Sequence, residues 1–159
     1  MQLNRNDLHA ILTAENAALR VFIEELHQEQ QVLLKGETDQ LGVFAVPKAQ
    51  SILELTKLGE QRLQLLRNCE MTPDRAGMEQ LLNERYADGG QESEQWERLL
   101  RLATAANQIN TSNGLLISAR MKNTQRALST LFSVARLPAA YAADGSTIGY
   151  RAAHQIAVA

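Results

Sequence analysis

The chain has 159 residues, of which 45% are hydrophobic but only 4% aromatic, with 16 Lys and Arg against 18 Asp and Glu. At this length we expect one domain with a modest core. A dedicated nucleic-acid binder is not expected, because such proteins carry an excess of basic residues and this chain has a net charge of -2. No stretch approaches the roughly 20 apolar residues that span a bilayer, the first residues lack the layout of a signal peptide, and Cys69 has no second cysteine to pair with. A cytoplasmic protein without membrane insertion is expected.

Leu and Ala supply most of the apolar content, which predicts an all-α chain because unbranched residues favour helices. The first helix is predicted over residues 5–35, where side chains at steps of three and four form a stripe that ends at Gly36. The members of this stripe are Leu8, Leu12, Glu15, Leu19, Phe22, Leu26, Glu29 and Leu33. Because two of them are glutamates, we expect Glu15 and Glu29 at the rim of a bundle.

A second helix is predicted over residues 39–68, with Pro47 as its irregular feature. Either the helix is kinked there, or it begins there after a separate turn. We favour the kinked helix, because apolar residues on both sides of Pro47 can share one face. A short connector helix follows at about residues 73–86, capped by Thr72 and folded over the bundle.

The last helix is predicted over residues 93–137 and ends before Pro138. Residues 1–137 are thus expected to form an antiparallel bundle of three long helices with a short connector helix. Residues 138–159 carry two charged side chains and no sustained helical period. Such a segment cannot bury enough surface to order alone, so we expect a flexible tail that folds on a partner.

The sequence carries no recognisable catalytic or phosphate-binding motif, so we expect neither an enzyme nor a small-molecule substrate. Glu24 and His27 have the spacing used in di-iron bundles, but a second Glu-x-x-His is missing. No metal and no cofactor are expected. Cys69 is interpreted as an inert, partly buried thiol.

Charge is unevenly distributed, since residues 98–136 carry six cations and no acid while residues 15–39 carry six acids and two cations. Either the first and last helices pack with opposite rims facing, or the basic side binds an acidic protein or nucleic acid; we favour the former. A second choice concerns Leu115, Leu116 and Ile117, which wrap more than half of the last helix. This level either touches two neighbouring helices, which we favour, or exposes a groove for a partner.

Two stretches resemble the FlgN family of cytoplasmic chaperones for flagellar type III export. One is residues 107–117, with Asn113-Gly114-Leu115-Leu116, continued by Gln125-Arg126-Ala127-Leu128. The other is the tail motif at residues 141–147, in which Tyr is followed by Asp-Gly, a polar residue and Thr. Ala142 and Pro47 depart from the family pattern, which has Gly and Glu there.

The resemblance implies binding to the C-terminal amphipathic helical segments of the hook–filament junction proteins FlgK and FlgL, and delivery to the cytoplasmic FlhA domain of the export gate. We expect the client on the last helix and the tail, because an amphipathic helix can dock on an apolar face. The expected partner-binding residues are Leu115, Leu116, Met121, Leu128, Leu131, Phe132, Tyr141, Asp144, Gly145, Ile148, Tyr150 and Ile156. The expected structural residues are Asn110, Asn113 and Gly114.

The alternative is a structural coiled-coil or helical-bundle scaffold without an export client. A scaffold would associate with itself or with structural proteins, whereas a chaperone would bind junction proteins. A metal-containing or enzymatic bundle ranks last.

Overall fold

The computed structural model describes residues 5–86 and 90–135, with side chains for residues 7–86 and 90–131. Throughout these ranges the regular structure is helical. Helix α1 spans Arg5–Lys35, α2 spans Gly42–Asn68, α3 spans Arg75–Arg85 and α4 spans Gln91–Ala135, with a 3₁₀ turn at Thr38–Gln40. The prediction of an all-α chain is confirmed for the described residues.

The chain divides into two compact units, Met1–Gly114 and Leu115–Ala159. The first unit contains α1, α2, α3 and the part of α4 up to Gly114. The described part of the second unit is the remainder of α4. The predicted boundary between bundle and tail at residues 137 and 138 lies outside the described residues.

Helix α1 buries the whole of its predicted stripe. Gly36 ends the helix with φ 80°, a conformation that glycine adopts without a steric penalty. The amide of Glu37 donates to the carbonyl oxygen of Val32 at 3.1 Å, which closes the terminal turn in the way glycine-ended helices commonly do. The predicted C-terminal signal is confirmed.

The position expected for the two stripe glutamates is wrong, because Glu15 and Glu29 are buried. Each carboxylate meets a cation of α2 at 3.0 Å, Glu15 through Arg62 Nε and Glu29 through Lys48 Nζ. The glutamate nearer the start of α1 pairs with the cation nearer the end of α2, and the later glutamate pairs with the earlier cation, so α1 and α2 run in opposite directions. A carboxylate can be buried at a stripe position when a partner compensates its charge.

Helix α2 begins at Gly42 instead of residue 39, because Thr38–Gln40 forms the separate 3₁₀ turn. The helix continues through Pro47 and does not begin there, whereas the kink itself stays a prediction. Proline has no amide hydrogen, so the carbonyl of Val43 lacks its intrahelical donor. Val43 is exposed, and water can therefore take the place of that donor.

Helix α3 begins at Arg75, and its N-cap is Asp74 instead of the predicted Thr72. The Asp74 carboxylate accepts a hydrogen bond from the Gly77 amide at 2.8 Å, and the Thr72 hydroxyl donates to the same carboxylate at 2.8 Å. A carboxylate two residues closer to the helix reaches its first turn more directly. Buried apolar residues then place α3 against the core, as expected of the connector; they are Met78, Leu81, Leu82 and, just after the helix, Tyr86.

The part of α4 up to Gly114 begins at Gln91, two residues before the predicted start, and contributes Trp96, Leu99 and Ala106 to the core. Asn16 of α1 donates to the side chain of Gln95 at 3.1 Å, and Gln30 donates to Ser112 at 3.4 Å. From the first contact to the second, the residue numbers increase on both helices, so this part of α4 runs parallel to α1. The antiparallel bundle of three long helices, as a complete arrangement, stays a prediction.

Candidate partner-binding surface

The second unit presents large apolar side chains to solvent along α4. Met121 is 58% exposed, Leu128 47% and Leu131 62%, while Ile117 is half-buried. Removing apolar surface from water is favourable at roughly 25 cal/mol per Å². A row of exposed Met and Leu side chains is therefore a candidate for contact with another chain.

These side chains share one side of the helix, and we call this surface the C-terminal face. It consists of Ile117, Met121, Thr124, Leu128 and Leu131. At about 100° per residue, the face is about 80° wide and about 21 Å long. Steps of four and three residues are those of a coiled-coil seam, so its geometry suits packing against one partner helix.

The basic residues of this unit surround the face unequally. At about 100° per residue, Arg120 lies about 60° from Ile117 and borders the C-terminal face. Lys122 and Arg126 lie about 140° and 180° from Ile117, on the opposite side of α4. The described part of the unit is thus an amphipathic helix with a cation at the edge of its apolar face.

The predicted binding residues do not all lie on one face. Leu115 is 68% exposed but points about 160° away from Ile117, and Leu116 is half-buried on a third side of the helix. The side chain of Phe132 lies outside the described residues. So do the six predicted tail residues, which are Tyr141, Asp144, Gly145, Ile148, Tyr150 and Ile156.

Asn113 joins three helices within the first unit and is 1% exposed. Its amide nitrogen donates to the carbonyl oxygen of Leu26 at 2.8 Å and to the carboxylate of Glu29 at 2.9 Å. The same carboxylate accepts from Lys48 of α2. Asn110 and Gly114, which were predicted beside Asn113 as structural residues, are exposed.

A second polar cluster joins the same three helices nearer the start of α1. Arg62 pairs with Glu15 and also lies over the ring of Trp96, with its central carbon 5.2 Å from the ring centroid. Burial raises the pKa of the Glu15 carboxyl, and the attraction and hydrogen bonding of Arg62 offset part of that increase. Two acids of α1, Glu15 and Glu29, are thus paired with cations of α2. For the other acids of residues 15–39, the favoured pairing with the basic residues of α4 stays a prediction.

The described residues offer little for metal or thiol chemistry. Across residues 5–86 and 90–135, there is no cluster of His, Cys, Asp and Glu suited to hold a metal ion. Cys69 is buried, and desolvation raises the pKa of its thiol while the charge of Arg85 lowers it. A thiol with a raised pKa is a poor nucleophile at neutral pH. No helix in the described ranges has both the length and the hydropathy to cross a bilayer.

Two features of the C-terminal face and its border were missing from the predicted binding site. Ile117 was counted among the apolar residues that wrap the last helix but not among the binding residues, although its spacing to Met121 was visible in the sequence. Arg120 was counted only as one of six cations. Helical angles at each position, instead of charge totals, would have placed it beside the face.

Comparison with known proteins identifies the family. A family model described as FlgN protein matches residues 1–148. The chain belongs to the FlgN family. The matched range covers both stretches on which the resemblance rested, and membership supports the general role of a flagellar export chaperone. No curated protein and no solved structure matches the chain.

Proposed function

We propose that this FlgN-family chain is a cytoplasmic chaperone that holds the C-terminal amphipathic segment of hook–filament junction proteins such as FlgK and FlgL. The exposed C-terminal face of α4 is the observation that carries the proposal. A client segment that covers Met121, Leu128 and Leu131 would hide its own apolar stripe at the same time. The client would then be kept from premature association until it reaches the cytoplasmic FlhA domain of the export gate.

In this proposal the helices form an antiparallel bundle and residues 138–159 act as a flexible partner-binding tail. Tyr141 offers a rigid apolar ring with a polar tip, which suits an interface. Ordering the tail on a client would reduce the net affinity, so that a receptor at the gate can take the client over. Release needs no cofactor or chemical step by this chain.

Two adjacent substitutions test whether the C-terminal face holds the client. Leu128→Asp places a carboxylate on the face, whereas Ser129→Asp places one on the exposed side about 120° from Ile117. We expect Leu128→Asp to weaken binding of a junction-protein C-terminal peptide by about 30-fold or more in calorimetry, because a charge would be buried against apolar side chains. Ser129→Asp should change the affinity by less than about threefold. Equal effects would contradict the assignment.

The tail and the half-buried Leu116 are tested separately. Deleting residues 139–159 should leave the helical circular dichroism nearly intact and weaken client binding strongly, and Tyr141→Ala should weaken binding to the client or the gate. An unchanged affinity after the deletion would refute the role of the tail. Leu116→Asp distinguishes two outcomes: lost binding with a retained melting temperature indicates a groove, and unfolding indicates a core position.

The scaffold alternative has one observation in its favour, because the spacing of the C-terminal face is also that of a self-associating coiled coil. Sedimentation velocity of the full chain distinguishes the two functions. If the chain is a scaffold, the wild type should form an assembly that Leu128→Asp abolishes. If it is a chaperone, no such assembly should form in the absence of client.

A further inference from the structure

The two compact units of the chain differ in the sign of their charge. Residues 1–114 contain 11 Lys and Arg against 17 Asp and Glu, whereas residues 115–159 contain five Lys and Arg against one Asp. In the described part of the second unit the cations are Arg120, Lys122 and Arg126. The apolar C-terminal face therefore belongs to the basic part of an acidic protein.

This charge distribution limits what can cover the C-terminal face. Two copies pairing through the same face would each present a helix segment with basic residues and no acid, because residues 115–135 contain no Asp or Glu. A second copy could match the charge only by offering its acidic residues 1–114, a head-to-tail contact that would give a closed ring or an open polymer. A separate acidic helix matches both the charge and the 21 Å length of the face, about four helical turns.

Arg120 is the cation placed to read the charge of such a helix. It borders the face between the levels of Ile117 and Met121, whereas Lys122 and Arg126 lie on the opposite side of α4. A residue at the edge of a helical seam meets the flanking positions of the partner helix, where charged pairs decide which partner is accepted. The opposite-side cations contribute only a longer-range attraction, which salt screens.

We propose that the C-terminal face selects an amphipathic helix whose apolar stripe is bordered by acidic residues, and that Arg120 determines this specificity. The inference rests on the proposed function, because it gives the chemistry of the client segment. The partner class is an acidic helical protein segment. Arg120 acts at the rim of the interface, so its effect falls on the choice of partner more than on the fold.

Two designed helical peptides test the proposal on the full chain. Both carry the same leucine stripe, but one has glutamates and the other lysines at the flanking positions. The glutamate peptide should bind about tenfold or more tightly than the lysine peptide at low salt, and the ratio should shrink as salt rises. Equal binding, or tighter binding of the lysine peptide, would overturn the proposal.

Charge reversal separates Arg120 from the general basic charge. Arg120→Glu and Lys122→Glu change the net charge equally on the same exposed helix. Arg120→Glu should weaken binding of the glutamate peptide by about tenfold and strengthen binding of the lysine peptide, while Lys122→Glu should change either by less than about threefold. Equal effects of the two substitutions would remove the assigned role of Arg120.

The outcome can be separated from that of the proposed function. If a junction-protein peptide binds the full chain but Arg120→Glu and Lys122→Glu act equally, the charge selection fails and the chaperone role stands. If Arg120→Glu weakens binding of the glutamate peptide as expected but no junction-protein peptide binds the chain, the C-terminal face has the inferred specificity and the proposed client is wrong. If the full chain forms a dimer or polymer that Leu128→Asp abolishes, the occupant is a second copy and the proposal is overturned.

Discussion

Replacing Asn113 tests how strongly α4 is held to α1 and α2 in the first unit. Its buried amide donates one hydrogen bond to the Leu26 carbonyl and one to the Glu29 carboxylate. A hydrogen bond to a charged group contributes about 1.5–3 kcal/mol and one to a neutral group about 0.5–1.5 kcal/mol. Asn113→Ala should therefore lower the free energy of unfolding by about 2–4 kcal/mol. That is a large part of the 5–15 kcal/mol typical of a whole protein.

Asn113→Asp is a sharper version of the same test, because it keeps the shape of the side chain. The new carboxylate would stand where the amide nitrogen now lies 2.9 Å from the Glu29 carboxylate. Two negative charges would then face each other at a buried position, so the loss should exceed that of Asn113→Ala. Lys48, which now pairs with Glu29, would then face two carboxylates.

Urea unfolding followed by circular dichroism measures these losses. The midpoint should fall while the slope of the free energy against urea stays constant, since the exposed surface hardly changes. Asn110→Ala is the matched control one turn earlier on α4, and because Asn110 is exposed its effect should stay within about 0.5 kcal/mol. The reasoning is refuted if the variants of Asn113 lose no more stability than the control.

Three further predictions concern the first unit. Burial raises the pKa of the Glu15 carboxyl above its ordinary 4.5, so the folded state binds this proton more tightly than the unfolded state does. In urea titrations the wild type should therefore gain stability relative to Glu15→Gln as the pH falls from 7 towards 4.5, and a constant difference would contradict this. A Cβ at Gly77 would overlap the Thr72 carbonyl, so Gly77→Ala should lower the free energy of unfolding by about 1–3 kcal/mol in thermal melts. Gly42 faces open space, so Gly42→Ala should lower it by nothing, and equal losses of stability would count against the crowding argument. Leu66 is buried, so Leu66→Ala should lower the free energy of unfolding by about 2–5 kcal/mol in urea unfolding. Leu53 is exposed on the same helix, so Leu53→Ala should lower it by less than about 0.5 kcal/mol, and a reversed order would contradict the assigned core.

The local pattern of the sequence predicted much of this fold. The stripe of α1 was visible because helical periodicity is a property of neighbouring residues, and Gly36 marked its end for the same reason. The burial of Glu29 was not visible, because its partner Lys48 is 19 residues away and belongs to another helix. The N-cap of α3 was misplaced by two residues, since Thr72 and Asp74 are both favourable caps and only the folded turn selects between them.

The candidate surface shows the same limit. The sequence pattern assigned the same structural role to Asn110 and Asn113, although packing against α1 buries only the second. It also favoured a doubly packed helix at Leu115, whose side chain is in fact exposed. Periodicity identifies which residues share a face, but the neighbours in space decide whether that face is covered.

Light scattering from a junction protein, with and without this chain, tests the chaperone role most directly. We predict that an equimolar amount of the full chain keeps the junction protein from associating, and that the Leu128→Asp variant protects it far less. Association that proceeds at the same rate with the full chain present would contradict the account.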